Sequence, residues 1–399
     1  MAKSWIKNRS ELQNGITKVI GLDLAASKIC ATYDNSNTGN VETKIFPNII
    51  LEGSDNIDDN DSTVSEFTVD GKTYTVGRQQ DSRVRSNLLT TGTARLTNPH
   101  VRAVLAQYAL TQLGFGGENV FVIASMPTSN YFLHNGKRNS QLIKKSMEAL
   151  AYPVHINNKA PAIVNYLNNK GKTIYGIPQS EAGAAFRAAF TNTRMKDIRT
   201  IKRGDIVDIT DIGFGTTDIA RISLNGDLLP VIHPEHSSSI QWAMQPIMSK
   251  FNEATMEVLQ SHKDEWIRDT QLSQAQHYQA WLDGNILIGT KTLIDLSSQK
   301  KKAIDEGMNQ LLAEIKSQNI ATGVQVRYHL ASGGGAIQAK DQLQSKSWYN
   351  GEMEIIDNPA EACSIGNFIE GQKQMLHIAK KISGDNDFSI DDLREVTYG

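Results

Sequence analysis

The sequence predicts an α/β protein of two lobes, and three observations carry that reading. The chain has 399 residues, which at roughly 150 residues per domain suggests two or three domains or one large two-lobed unit. Strand-like apolar runs alternate with segments of helical spacing along most of its length. A strand hairpin opens each half, at residues 19–33 and again at 205–222. Hydrophobic residues make up 39% and charged residues 21%, enough apolar material for a sizeable core, which excludes a globally disordered chain.

Residues 19–33 (VIGLDLAASKICATY) enter on Val19, Ile20 and Leu22, break at Ala25, Ala26 and Ser27, then alternate through Ile29, Ala31 and Tyr33. That is a two-strand hairpin with a tight turn. Residues 55–61 (DNIDDND) imitate a calcium loop, with Glu66 at the twelfth position. Ile57 replaces an oxygen ligand there and Asn60 the sharp-turn glycine, so the segment reads as a solvated loop. Residues 67–76 form a second hairpin around Asp70-Gly71. Helical spacing covers 100–113 and 139–150, with an all-apolar buried strand at 120–124 between them. In the second half, strand, glycine turn and strand occupy 205–222, and a short strand follows through 228–232. Residues 239–319 read as a long helical region broken near Gly284 and Gly289. A strand at 328–331 then runs into SGGGA and a helix. The polar, acidic last twenty residues read as a mobile tail or a partner contact.

Charge narrows the function. Lys+Arg total 41 and Asp+Glu 43, a formal charge of −2, which argues against coating nucleic acid by bulk charge. Two cysteines, Cys30 and Cys363, make neither a disulfide framework nor a Cys-rich zinc site. The basic N-terminus lacks the apolar stretch of a secretory signal, and no run approaches the ~18 apolar residues of a membrane span. A reducing cytoplasm is the expected compartment.

Four short segments can do chemistry. In DITDIGFGTTDI (208–219), Asp211 ends an apolar strand, Gly213 and Gly215 let the backbone turn, and Thr216 and Thr217 add hydroxyls. Such a turn can wrap phosphate oxygens with its amides, and the carboxylate can hold Mg²⁺ through water. The same pattern also describes an ordinary glycine hairpin. In DLAASK (23–28), Asp23 ends a strand before Ala26, Ser27 and Lys28, where Ser27 can simply cap the turn and Lys28 can be a solvated charge. The triple glycine of SGGGA (332–336) can admit a flat ring or a phosphate at a helix N-terminus, or be a tight loop alone. Glu181, in PQSEAGAA (178–185), opens a small-residue helix, where it can serve the helix dipole or direct an attacking water. No GxxxxGK[ST] P-loop exists, and His233-Pro234-Glu235-His236 lacks a metal-binding i,i+4 pair.

The order of these segments is more specific than any one of them. Asp-hairpin, Glu-helix, Asp-Gly-Thr hairpin, GGGA and a small-residue helix at Ala362-Cys363-Ser364-Ile365-Gly366 resemble the actin and sugar-kinase ATPase superfamily over about residues 16–374. VFVIASMPTSNYF (120–132) and the hairpin FTVDGKTYTVGR (67–78) are similar to ParM/StbA-type bacterial actins, which segregate plasmids. The resemblance implies a two-lobed actin-like ATPase fold, each lobe a mixed five-stranded sheet flanked by helices. Lobe I would span 16–180, with a small outer subdomain at about 45–95, and lobe II 181–360. Residues 361–380 would return to lobe I, and 1–15 and 381–399 would be tails.

By the same resemblance, ATP or GTP binds with Mg²⁺. Asp23 and Asp211 organise the metal through water, and Glu181 and Asp211 are catalytic. Ala26, Ser27, Lys28 and the turn Gly213, Phe214, Gly215, Thr216 and Thr217 contact phosphates, and Gly333, Gly334, Gly335 and Ala336 the nucleoside. Two positions depart from the pattern, Ala25 where glycine is usual and Phe214 among the glycines. The expected function is nucleotide-dependent head-to-tail assembly that moves plasmid DNA through a DNA-binding adaptor, with no direct nucleic-acid or membrane binding. The alternative is a sugar or carboxylate kinase of the same superfamily.

Overall fold

The computed structural model describes residues 12, 17–25, 28–48, 50–53, 65–77, 94–133, 135–157, 159–164, 166–167, 173–174, 176–225, 230–240, 243–289, 292–318, 325–345, 347–348 and 351–398. Ala26 and Ser27, the calcium-like segment 55–61 and most of 1–15 lie outside them.

The first lobe begins with an antiparallel meander, β1 (Lys18–Leu24), β2 (Lys28–Asn35) and β3 (Asn40–Pro47). A small outer sheet follows, built on β4 (Ile50–Glu52), β5 (Ser65–Val69) and β6 (Lys72–Val76). Asp70 (φ 49) and Gly71 (φ 76) turn its hairpin, with Val69 paired to Lys72. Two positive φ angles in a two-residue loop match the twist of the flanking strands. A helical turn, α1 (Ala94–Thr97), leads into α2 (Pro99–Gln112), where Asn98 caps the His100 amide at 3.0 Å and Pro99 occupies the first turn.

β7 (Val120–Ala124) is wholly buried and pairs with β1 in parallel, so its continuous apolar run has both faces covered. The turn α3 (Thr128–Tyr131), α4 (Ser140–Leu150), β8 (His155–Ile156) and the short pair β9 (Tyr166–Leu167) and β10 (Thr173–Ile174) complete this part. Among the described residues the main sheet of this lobe has four strands, in the order β3-β2-β1-β7, where five are expected.

The second lobe starts with α5 (Glu181–Phe190). Among the described residues its sheet has five strands: β11 (Ile206–Ile212), β12 (Thr217–Leu224), β13 (Pro230–Ile240), β16 (Tyr328–Ser332) and β19 (Glu354–Ile355), in the order β13-β12-β11-β16-β19. Helices α6 (Met244–Gln260), α7 (Gln274–Asp283) and α8 (Ser297–Gln318) carry its second core layer. The turn helix α9 (Gly334–Gln338) follows β16, and β17 (Ser347–Trp348) pairs with β18 (Gly351–Glu352).

Two expectations need correction here. The long helical region holds a hairpin, β14 (Asn285–Ile288) and β15 (Thr292–Asp295), between α7 and α8. Gly284 (φ 69) ends α7 in the left-handed conformation, and the chain then alternates. Ile286 and Ile288 point inward, while Leu287 is 53% exposed.

The C-terminal residues are also ordered. Helix α10 (Ala362–Ser383) runs beneath both lobes and ends at Gly384 (φ 66), and α11 (Ile390–Tyr398) docks on the first lobe. Phe388, Leu393 and Val396 join Val19, Phe121 and Phe368 in one core, and Arg394 pairs with the buried Asp34 at 2.5 Å. A thin apolar stripe inside a polar segment is enough to fold it back.

Candidate functional site

The C-terminal ends of β1 and β11 face each other across the cleft between the lobes, each at the close of a strand that has a parallel neighbour, β7 or β16. Ligands of open α/β sheets sit at such strand ends. A cavity of about 660 Å³ lies there, within the usual size range for ligand sites of about 300–1,000 Å³.

Its floor is acidic. Asp23, Glu181 and Asp211 all line it. Asp211 closes β11 and accepts the Ser332 hydroxyl at 2.7 Å on Oδ1, while the Cys363 thiol points at Oδ2 from 3.5 Å. Burial pushes the Asp211 carboxyl up to about 7, and the nearby Asp23 and Asp218 charges add to it. Asp23 is raised by burial too, with the cations of Lys28, Arg95 and Arg102 pulling it back. Glu181 begins α5 because Ser180 caps the Gly183 amide at 3.1 Å. Burial, then Asp218, drives the Glu181 carboxyl well above its ordinary range, opposed by Arg95 at 3.8 Å.

Two glycine turns form the walls. Between β11 and β12 the chain turns through residues 213–216, closed by the Gly213 amide on the Thr216 carbonyl at 2.9 Å. Gly213, Phe214, Gly215 and Thr216 line the cavity, whereas Thr217 is fully buried behind the turn. On the other side Gly333, at φ +87, approaches β11 so closely that a Cβ would lie 2.6 Å from the Ile212 carbonyl carbon and 2.8 Å from Asp211 Oδ1. Only glycine fits that conformation and that space. Gly334 and Gly335 also line the cavity, while Ala336 is buried beneath it. Lys28 reaches the cavity from β2 and donates to the Ala360 carbonyl at 2.8 Å.

The lining also has an apolar share, Met244, Pro246, Tyr278, Leu282 and Ile337, so one cavity offers carboxylates, two glycine turns and apolar surface.

Sequence reasoning missed Arg95, Asp218 and this apolar wall. Asp218 had a signal: a four-residue turn sets it directly opposite Asp211, and like charges across an antiparallel pair are destabilising unless something neutralises them. In the fold Asp218 accepts the Thr128 amide and the Ser239 hydroxyl, both at 2.6 Å, which ties the turn α3 of the first lobe to the second. Arg95 and Tyr278 carry no local signal, since only tertiary placement brings them here. His233 belongs to β13 and shares a 2.8 Å hydrogen bond with Ser223.

Residues 24–169 match the family model described as plasmid segregation protein ParM, N-terminal. No curated protein matches the sequence. Among solved structures, the 15-stranded ParM filament from Clostridium botulinum is 17% identical, with a TM-score of 0.63 over 90% of this chain and 99% of that one. The fold is actin-like. Ta0583, an archaeal actin homolog, has a TM-score of 0.64 at 15% identity over 90% of this chain and all of its own. Bacillus thuringiensis ParM with AMPPNP has a TM-score of 0.58 at 14% identity, covering 90% and 99%. In an actin-like fold the cavity described above is the cleft between the lobes, and no helix among the described residues is long and apolar enough to cross a membrane.

Proposed function

We propose that this chain is a cytoplasmic, nucleotide-dependent, filament-forming actin-like ATPase that moves or segregates plasmid DNA through a DNA-binding adaptor. The observation that carries the reading is the cleft itself. Its carboxylates and cations, its paired glycine turns and its apolar lining are the chemistry that the phosphates, sugar and base of a nucleoside triphosphate call for, which supports the reading. The ParM match over residues 24–169 and the ParM filament among the structural neighbours support assembly. Structures of the Bacillus thuringiensis protein with AMPPNP and with ADP support the nucleotide.

The charge balance supports a divalent cation. Asp23, Glu181, Asp211 and Asp218 crowd a space reached by Lys28 and Arg95, with Arg102 behind them. A polyphosphate added to these carboxylates needs further positive charge. Asp23 and Asp211 would hold Mg²⁺ through its waters, and the ion would neutralise phosphate charge. The cradle at Gly333, too tight for any Cβ, leaves bare backbone beside that position.

Within this reading, Glu181 orients the attacking water from the start of α5, and Phe214, Gly215 and Thr216 of the turn that Gly213 closes face the phosphates. Ala25 keeps a Cβ at the first phosphate turn, which narrows the approach and slows turnover. Lobe I spans 16–180 and lobe II 181–360, with 361–380 returning to lobe I. A head-to-tail contact is heterologous and propagates instead of closing. A chain of net charge −2 would reach DNA through a basic adaptor.

Light scattering of the purified protein tests the assembly. The signal should rise on adding Mg·ATP or Mg·GTP and later decay as nucleotide is consumed. A flat trace across protein concentrations and ionic strengths, with nucleotide demonstrably bound, overturns it.

A further inference from the structure

Arg95 stands in the cleft without a role in the reading above. Its side chain is 15% exposed, lines the cavity, and lies 3.8 Å from Glu181, beyond hydrogen-bond range. The other cations nearby are engaged elsewhere. Lys28 donates to the Ala360 carbonyl at 2.8 Å. Arg102 is buried, reaches toward the Ser125 carbonyl at 3.4 Å, and does not line the cavity. Arg95 is therefore the guanidinium lining the cleft that is held by a loose ion pair alone among the described residues. Its helical turn, Ala94–Thr97, leads directly into α2 through the cap residue Asn98.

We propose that Arg95 is a catalytic residue that binds the terminal phosphate of the nucleotide, exchanging Glu181 for the phosphate when substrate enters. This rests on the nucleotide reading of the cleft. A guanidinium fork suits phosphate oxygens in a way that one carboxylate oxygen at 3.8 Å does not satisfy. The exchange keeps Arg95 paired and frees the Glu181 carboxylate to take a hydrogen bond from water. In the step that follows, the water oxygen bonds to the terminal phosphorus as the bridging P–O bond breaks. One water proton passes to Glu181 and then to the departing phosphate, leaving nucleoside diphosphate and inorganic phosphate. Arg95 balances the charge gathering on the transferred group.

The test compares AMPPNP and ADP, each with Mg²⁺, by calorimetric titration of the wild-type protein, Arg95→Ala and Arg95→Lys. A charged contact made only to the terminal phosphate predicts that Arg95→Ala weakens AMPPNP about 10- to 100-fold and leaves ADP within about twofold. Arg95→Lys should fall between, because an ammonium keeps the charge and loses the fork. Equal losses for both nucleotides, or none for either, overturn the assignment, since a merely structural Arg95 would not distinguish them. Should the alanine variant fail to fold by circular dichroism, the AMPPNP-to-ADP ratio of the lysine variant decides alone. Wild-type protein that binds neither nucleotide overturns the nucleotide reading and the role of Arg95 with it. Wild-type binding with an unchanged ratio overturns Arg95 alone.

Discussion

Replacing Gly366 by alanine should force apart the two helices that run beneath the cleft. Gly366 lies in α10, and a Cβ on it would stand 2.5 Å from the carbonyl carbon and 2.8 Å from the Cα of Ala184 in α5. The Ala184 carbonyl oxygen would stand closer still, and ordinary contact begins near 3.4 Å, so the backbones must part by more than about 1 Å. Overpacking costs about 1–3 kcal/mol where side chains can yield, and a backbone neighbour places this case at the upper end. Alanine returns about 1 kcal/mol of helix propensity. The net loss is about 2 kcal/mol.

The same shift moves Glu181, the first residue of α5, and strains the hydrogen bond from Gln179 to the Gly366 carbonyl at 2.9 Å. Urea unfolding followed by tryptophan fluorescence, without nucleotide, reads the effect. Two further variants calibrate it. At Gly334 a Cβ meets nothing within 4 Å, and at Gly371 it meets side-chain carbons of Val19 and Ile123, the latter at 3.0 Å, which can move. Stability should fall most in Gly366→Ala, less in Gly371→Ala, and stay near wild type in Gly334→Ala. A Gly366→Ala protein as stable as wild type would mean that helix propensity outweighs the crossing, and the close-packing argument fails.

Glu181→Gln keeps the shape of the side chain and removes its basicity. It should retain nucleotide affinity while phosphate release slows about 10²- to 10⁴-fold; undiminished release would take Glu181 out of the chemistry. Asp211 supplies a pH dependence. Burial holds its carboxyl near 7 against 3.8 for the free side chain, so between those values the folded chain keeps a proton that the unfolded chain has lost. Its contribution to stability is complete below the unfolded value and is lost as pH rises through the folded one. The unliganded wild type should therefore lose more of its urea midpoint between about pH 5 and about pH 8 than Asp211→Asn does. Parallel pH curves for the two proteins refute the assignment.

What the sequence makes legible is set by how locally each feature is determined. The hairpins at β1–β2, β5–β6 and β11–β12 announce themselves through alternation closed by small or φ-positive residues, which depends on nothing outside the segment. Strand-end carboxylates beside glycines are legible for the same reason. The hairpin β14–β15 is not, because two short strands among long helices give too few residues to separate period 2 from period 3.6. Helix α11 escapes notice because its Leu393 and Val396 are diluted by acidic neighbours, and Val19 and Phe121, which share their core, lie in strands more than 250 residues earlier in the chain.

The cleft divides along the same line. Asp23, Asp211 and Glu181 end a strand or begin a helix, so their positions follow from the elements that carry them. Arg95 and Tyr278 approach from short helices of different lobes, and nothing in their neighbours marks them. Backbone motifs can place a phosphate from sequence alone. Residues that approach the cleft from elsewhere in the fold act through space and emerge only once the lobes are built. That is why the carboxylates of this cleft are legible in the sequence and the cation facing them is not.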